Sequence, residues 1–167
     1  MADARKANAT LTAAVVTVSD SCARGERQDK SGPAVVQFLD KLKFSVIARE
    51  VVADDSIQIR NLLIRLAREV RLIVTTGGTG IAPRDVTPES TIAVCDRVIE
   101  GLSELMRSEG LKKTPFAALS RAVCGVRGQC LIINLPGSPA GAVESLDSIA
   151  NLMPHAIDLL SGKTEHI

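Results

Sequence analysis

The sequence predicts an α/β domain: a three-layer, mostly parallel sheet with helices on both faces and a short antiparallel strand at one edge. Three observations predict it. Short apolar, β-branched runs at residues 13–18 (AAVVTV), 72–76 (LIVTT) and 130–135 (CLIINL) lack the alternation of a half-exposed sheet. Strands buried on both faces read this way. Stretches of helical period separate the runs, so the units are β-α-β with right-handed crossovers. The chain has 167 residues, enough for one compact domain that buries about 70% of its unfolded surface without a staple.

Residues 1–12 (MADARKANATLT) are polar and Ala-rich. They read as a flexible tail without a secretory apolar segment, and the domain is expected over residues 13–167. After the first strand the chain turns polar at Ser19, Asp20 and Ser21, and residues 22–30 read as a loop. Ser31-Gly32-Pro33 starts a helix with Val35, Val36, Leu39 and Leu42 on one face. Residues 44–52 (FSVIAREVV) form a second strand, and Asp54-Asp55-Ser56 caps a helix carrying Ile59, Leu62, Leu63 and Leu66. Gly77-Gly78-Thr79-Gly80 breaks the third strand. Thr87-Pro88, a cap followed by Pro at the first helical position, begins a helix with the stripe Ile92, Cys95, Ile99 and Leu102. Residues 114–119 suggest a helical turn and residues 120–126 a short edge strand. The last helix carries Val143, Leu146, Ile149, Met153, Ile157 and Leu160, is kinked or split by Pro154, and stops at Gly162-Lys163.

Composition excludes several function classes. Hydrophobic residues make up 46% and charged residues 23% of the chain, which is too apolar for a disordered protein. Lys plus Arg (20) nearly balance Asp plus Glu (19) for a net charge of +1, so no nucleic-acid partner is expected. With three Phe and no Trp or Tyr, a platform for stacking single-stranded bases is not expected either. The thiols of Cys22, Cys95, Cys124 and Cys130 form no C-x-x-C and lie far in sequence from His155 and His166. A zinc site is therefore not indicated, and the thiols read as small buried hydrophobes in a reducing, cytoplasmic setting. No apolar run reaches the ~20 residues of a membrane span.

An open parallel sheet binds ligands beyond the carboxyl ends of its strands, and the unusual residues fall there. Gly77, Gly78, Thr79 and Gly80 could bring backbone N–H groups close to a phosphate, although a bare Gly-Gly-Thr-Gly reads more simply as a tight turn. The loop is neither a Walker A motif nor a G-x-G-x-x-G fingerprint. Asp20, Asp54 and Asp85 are candidate metal carboxylates, since Mg²⁺ takes one or two carboxylates plus substrate phosphates. Arg84 beside Asp85 could reach phosphate too. Any one of these acids reads more simply as a helix cap or a solvated loop acid, Asp85 is the strongest metal candidate, and Asp55 reads as a cap. Ser120-Arg121 could hold an anionic or heterocyclic ligand or close a helix end. Cys22 as a nucleophile lacks a His nearby in sequence, and His155 reads as structural.

Several ordered motifs together resemble the MogA/MoaB family of molybdopterin adenylyltransferases, related to the G domain of gephyrin. They are Thr17-Val18-Ser19-Asp20-Ser21, Asp29-Lys30-Ser31-Gly32, Thr76-Gly77-Gly78-Thr79-Gly80, Arg84-Asp85-Val86-Thr87-Pro88-Glu89, Leu119-Ser120-Arg121 and Asn134-Leu135-Pro136-Gly137-Ser138-Pro139. The resemblance runs from about residue 13 to 160, and its specific part is Gly-Gly-Thr-Gly followed by Asp85 and Val-Thr-Pro-Glu. It implies Mg²⁺- and ATP-dependent adenylylation of molybdopterin with release of pyrophosphate. By the same resemblance, Asp54 and Asp85 would be the catalytic acids and hold Mg²⁺. Gly77, Gly78, Thr79 and Gly80, with Ser19 and Asp20 at the rim, would bind the nucleotide. Ser120, Arg121, Pro136, Gly137 and Ser138 would bind the pterin. Many relatives have Lys or Asn just after the Pro-Gly-x-Pro turn, where this chain has Ala140-Gly141, so one polar pterin contact is missing. The family also implies a homotrimer, or a hexamer in one branch, and a downstream molybdenum-insertion enzyme as partner. The alternative function is a non-catalytic pterin carrier or scaffold of the same fold.

Overall fold

The computed structural model describes residues 11–163. Its sheet has six strands: β1 (Thr12–Val18), β2 (Ser45–Val52), β3 (Leu72–Thr76), β4 (Arg97–Val98), β5 (Cys124–Arg127) and β6 (Cys130–Leu135), in the order β2-β1-β3-β6-β5-β4. The first four in that order run parallel, while β5 pairs antiparallel with β6 and β4 antiparallel with β5. The chain leaves β1 for β2 on one side and returns to β3 on the other. This reversal opens a crevice at the carboxyl ends of β1 and β3.

Seven helices complete the layers: α1 (Asp20–Ala23), α2 (Ser31–Lys41), α3 (Ser56–Leu66), α4 (Thr87–Val94), α5 (Glu100–Leu111), α6 (Pro139–Ser148) and α7 (Met153–Leu160). Because successive strand residues point to opposite faces, β1, β3 and β6 divide their side chains between two cores. Val15, Val74 and Ile133 pack with Leu39 of α2, Met106 of α5, Leu146 of α6 and Ile157 of α7. Val16, Ile73 and Ile132 pack with Ile59, Leu63 and Leu66 of α3 and Val94 of α4. The three apolar runs are buried throughout, as continuous apolar strands require.

The structure differs from the sequence expectation in four places. The stripe Ile92–Cys95–Ile99–Leu102 does not lie on one helix. Helix α4 ends at Val94, Cys95 is extended, and α5 starts at Glu100. The intervening residues pair with β5 instead: Asp96 N–H donates to the Val126 carbonyl and Ile99 N–H to the Cys124 carbonyl, both at 2.7 Å. A sheet edge with open carbonyls outcompetes a helix through β-branched residues. Second, the strand expected over residues 120–126 is β5, and β4 rather than β5 takes the edge. Third, α1 starts at Asp20, inside what reads as turn and loop. Fourth, Thr87 is the first residue of α4 and Pro88 the second, without a side-chain cap. The last helix is split as expected, and Pro154 sits in the first turn of α7, where its missing N–H costs nothing. A 3-10 turn at Pro115–Leu119 fills the expected helical turn. Of the tail expected over residues 1–12, residues 1–10 lie outside the described residues, and Thr12 opens β1. Among the described residues no helix is long and apolar enough to cross a membrane.

Leu146 is fully buried between α6 and the sheet. Leu146→Ala should cost about 2–5 kcal/mol of unfolding free energy, seen in urea as a lower midpoint with an unchanged slope.

Candidate active site

The crevice is shaped by the turn after β3. Gly77 has φ +94 and Gly78 φ +66, a left-handed pair that other residues adopt only with strain. A Cβ on Gly77 would fall inside the contact shell of the Val18 carbonyl oxygen. The elbow therefore lies flat on the end of β1. Gly77 N–H donates to the Leu135 carbonyl at 3.1 Å, which ties it to β6 as well. Buried Thr87 holds the elbow from behind: its hydroxyl donates to the Gly77 carbonyl at 2.9 Å, and its N–H to the Gly78 carbonyl at 3.1 Å. Among the described residues, no protein acceptor takes the N–H groups of Gly78, Thr79 or Gly80. Free consecutive amides of this kind form a nest for an anion.

Acids stand close to Gly78 and Gly80 of the loop. Asp54 Oδ1 lies 3.2 Å from where a Cβ on Gly78 would stand, and Asp85 Oδ2 lies 2.8 Å from the same point on Gly80. Asp20 and Asp54 bind each other's backbone across the ends of β1 and β2: Asp20 N–H donates to Asp54 Oδ2 at 2.9 Å, and Asp54 N–H to Asp20 Oδ1 at 3.0 Å. Arg84 closes the cluster, donating to both Asp20 oxygens at 2.5 and 2.9 Å and to the Asp54 carbonyl at 3.2 Å. Its hydrogen bond holds the Asp20 carboxyl below the usual range. Burial raises the Asp54 carboxyl, and the nearby Asp20 and Asp85 charges add to this. Asp85 Oδ2 accepts from Ala82 N–H at 2.9 Å. Asp55 is the cap of α3, accepting from Gln58 N–H.

Could these acids hold Mg²⁺? Among the described residues no three His, Cys, Asp or Glu side chains gather into a metal cluster. Asp54 beside Gly78 and Asp85 beside Gly80 are carboxylates of the kind that Mg²⁺ takes, one or two at a time, with phosphate oxygens and water completing its shell.

One face of the loop opens into a cleft of about 750 Å³. Gly77, Gly78, Thr79, Gly80, Asp85, Ser120, Pro136, Gly137 and Ser138 line it, with α5, the 3-10 turn and α6 as its walls. Ser19, Asp20, Asp54 and Arg121 do not line it. Ser19 caps α1, accepting from Cys22 N–H at 3.2 Å. Ser138 caps α6, and Gly141 leaves room for its hydroxyl. Arg121 straps the glycine loop from outside the cleft. Its guanidinium donates to the Gly80 carbonyl at 2.8 Å and the Asp85 carbonyl at 2.9 Å and pairs with Glu89, while its N–H donates to the Thr79 carbonyl. Cys22 is half-buried on α1 and His155 is exposed on α7.

Three supporting residues escape a reading of isolated motifs. Thr87 looks like a cap and serves as the elbow's pin. Asn134 is fully buried: its amide donates to Thr75 and Thr91 hydroxyls, and its carbonyl accepts from Val123 N–H. Asp29 anchors α2 by accepting from Gly32 N–H at 2.9 Å and also accepts from the Thr17 hydroxyl at 2.8 Å. The Ser31 hydroxyl beside it pairs with Thr76, next to the elbow. The Asp29-Lys30-Ser31-Gly32 motif is the sequence signal for this network.

A family described as "Probable molybdopterin binding domain" matches residues 14–155. The chain belongs to this family. It is 40% identical over 157 residues to a molybdopterin adenylyltransferase of Helicobacter pylori strain J99, covering 92% of this chain and 89% of that protein. The crystal structure of the molybdopterin biosynthesis enzyme MoaB from Thermus thermophilus is similar at a TM-score of 0.87 and 50% identity, covering 92% of this chain and 98% of that one. Gephyrin of Dictyostelium discoideum is 37% identical over 160 residues, 89% of this chain but 22% of gephyrin. The resemblance carried by the ordered motifs is thus borne out, and so is the mostly parallel α/β fold.

The elbow geometry sets the cost of filling it. Gly77→Ala should destabilise the protein by more than the about 1–2 kcal/mol of a left-handed Ala, because its Cβ also meets the Val18 carbonyl. Gly128→Ala (φ +57, open space) should cost only the backbone term, and chemical denaturation of the pair separates the two contributions. Asp54 makes stability depend on pH. With its folded-state pKa raised, the folded protein holds more protons than the unfolded chain just above the ordinary Asp range, so stability falls as pH rises through that window. Asp54→Asn removes this penalty. Its thermal midpoint should exceed the wild type's at pH 7 and match it at pH 3.

Proposed function

We propose that this protein is a molybdopterin adenylyltransferase that moves the adenylyl group of ATP onto the terminal phosphate of molybdopterin and releases pyrophosphate. One observation carries the reading: Gly78, Thr79 and Gly80, whose amides have no protein acceptor, line a cleft large enough for a second ligand, with Asp54 beside Gly78 and Asp85 beside Gly80. A phosphate monoester has its second pKa near 6 (about −1.5 to −2 charge at neutral pH) and is already a nucleophile. An oxygen of the pterin phosphate attacks the α-phosphorus of ATP, and the bond from that phosphorus to the bridging oxygen breaks as pyrophosphate leaves. No proton need be removed, so no Ser-His or Cys-His pair is required.

The protein's task is to bring two polyanions together and offset their repulsion. The nucleotide phosphates lie on Gly77, Gly78, Thr79 and Gly80, with Ser19 and Asp20 at the rim. The pterin lies on Ser120, Pro136, Gly137 and Ser138. Arg121 serves the pterin side indirectly, by holding the loop. Asp54 and Asp85 would hold Mg²⁺, which would supply positive charge to offset that of the phosphates. The raised pKa of Asp54 fits a carboxylate held for a cation. Free thiols and an ATP co-substrate support a cytoplasmic setting. The family resemblance supports assembly into a homotrimer, with a hexamer as the alternative. The adenylylated pterin would pass to a molybdenum-insertion enzyme.

Purified protein mixed with Mg-ATP and molybdopterin should release pyrophosphate. Asp85→Asn should lower kcat about 100-fold or more while its melting midpoint stays within a few degrees. A carrier of the same fold would bind the pterin, leave ATP intact and show no Mg-dependent nucleotide binding.

A further inference from the structure

The chain has three aromatic side chains, and their placements differ sharply. Phe44 is 4% exposed in the core, and Phe38 packs partly buried against it. Phe116 is 76% exposed. It sits on the 3-10 turn Pro115–Leu119, which has no buried residue. Phe116 and Leu119, the latter 51% exposed, both line the cleft beside the glycine loop.

The turn is held in place at few points. Thr114 Oγ1 accepts from Phe116 N–H at 3.3 Å, and Ala117 rests on α5 where Gly110 has no side chain. Lys113, three residues before Phe116, reaches Glu144 of α6 at 3.2 Å. The α6 wall is rich in acceptors: Glu144, Ser145, Asp147 and Ser148 all line the cleft. The cleft thus offers large apolar surface on one element and hydrogen-bonding groups on another. A fused, amino-substituted heterocycle has the matching character, with apolar faces and a polar N–H edge.

We propose that Phe116 is the platform on which the fused ring of the pterin rests, with Leu119 extending it and the α6 acceptors meeting the ring's edge. This assignment rests on the function proposed above. Adenine has similar faces, and the glycine loop that would hold the nucleotide phosphates borders this cleft too, but Phe116 and Leu119 share a turn that ends at Ser120 on the pterin side, while Ser19, Asp20 and Asp54 lie outside the cleft. Phe116 makes this chain selective for a planar ring without touching the reacting phosphates. It is a specificity-determining residue rather than a catalytic one.

The test is calorimetric titration of the full-length protein with molybdopterin and, separately, with Mg-ATP, for wild type, Phe116→Ala and Phe116→Trp. Stacking of a base on an aromatic side chain is worth about a factor of ten or more in affinity. Phe116→Ala should weaken molybdopterin about tenfold and leave Mg-ATP unchanged, and Phe116→Trp should restore the loss. Because Phe116 is exposed, the Ala variant should melt within a few degrees of wild type. Weakening of Mg-ATP instead would assign the ring to adenine and overturn the proposal. A changed sedimentation coefficient with unchanged affinities would make Phe116 a contact between copies of the chain and also overturn it. Wild type that binds no molybdopterin sinks the function itself, whereas tight binding that Phe116→Ala leaves intact sinks only the platform.

Discussion

The site depends on a backbone crossing at which no side chain fits. The elbow at Gly77 lies against the last carbonyl of β1, and its N–H is tied to the end of β6. Two glycines in the left-handed region turn the chain there, and the next amides are left without protein acceptors. Most buried or partly buried amides find a partner, so a run that does not is a place where the fold has left donors for a ligand. The turn is over-determined by Thr87 behind it and Arg121 outside it.

Around that elbow the charges sort into two groups. Asp20, Asp54 and Arg84 form a reciprocal cluster on the β1–β2 side, and Asp85 faces the cleft. The cluster leaves Asp54 with an energetic cost: its carboxylate is partly withdrawn from water with the like charges of Asp20 and Asp85 nearby, while Arg84 is bound mainly to Asp20. A cation between Asp54 and Asp85 would relieve that cost. This is the balance expected where a site gives up some stability for function.

How much of this is legible in the sequence depends on the kind of signal. Strands buried on both faces leave a continuous apolar run, so β1, β3 and β6 are plain. The stripe from Ile92 to Leu102 misleads because helical spacing records only periodicity. It cannot register that the open edge of β5 captures Asp96 and Ile99. The glycine loop and the acids beyond the strand ends are legible because position in a parallel sheet predicts location. Arg121 is assigned to the pterin by the family resemblance alone, since the residues around it in sequence suggest no more than a helix end. The carbonyls it holds, those of Gly80 and Asp85, are about 40 positions away in sequence and leave no local trace. Thr87 and Asn134 act through tertiary hydrogen bonds, which are invisible in the same way.

If one elbow gathers phosphate, cation and acids, a crystal structure of the protein with Mg²⁺ and a non-hydrolysable ATP analogue will show phosphate oxygens on the amides of Gly78, Thr79 and Gly80, with the cation on Asp54 and Asp85. Phosphates bound elsewhere, with those amides facing only water, would contradict it.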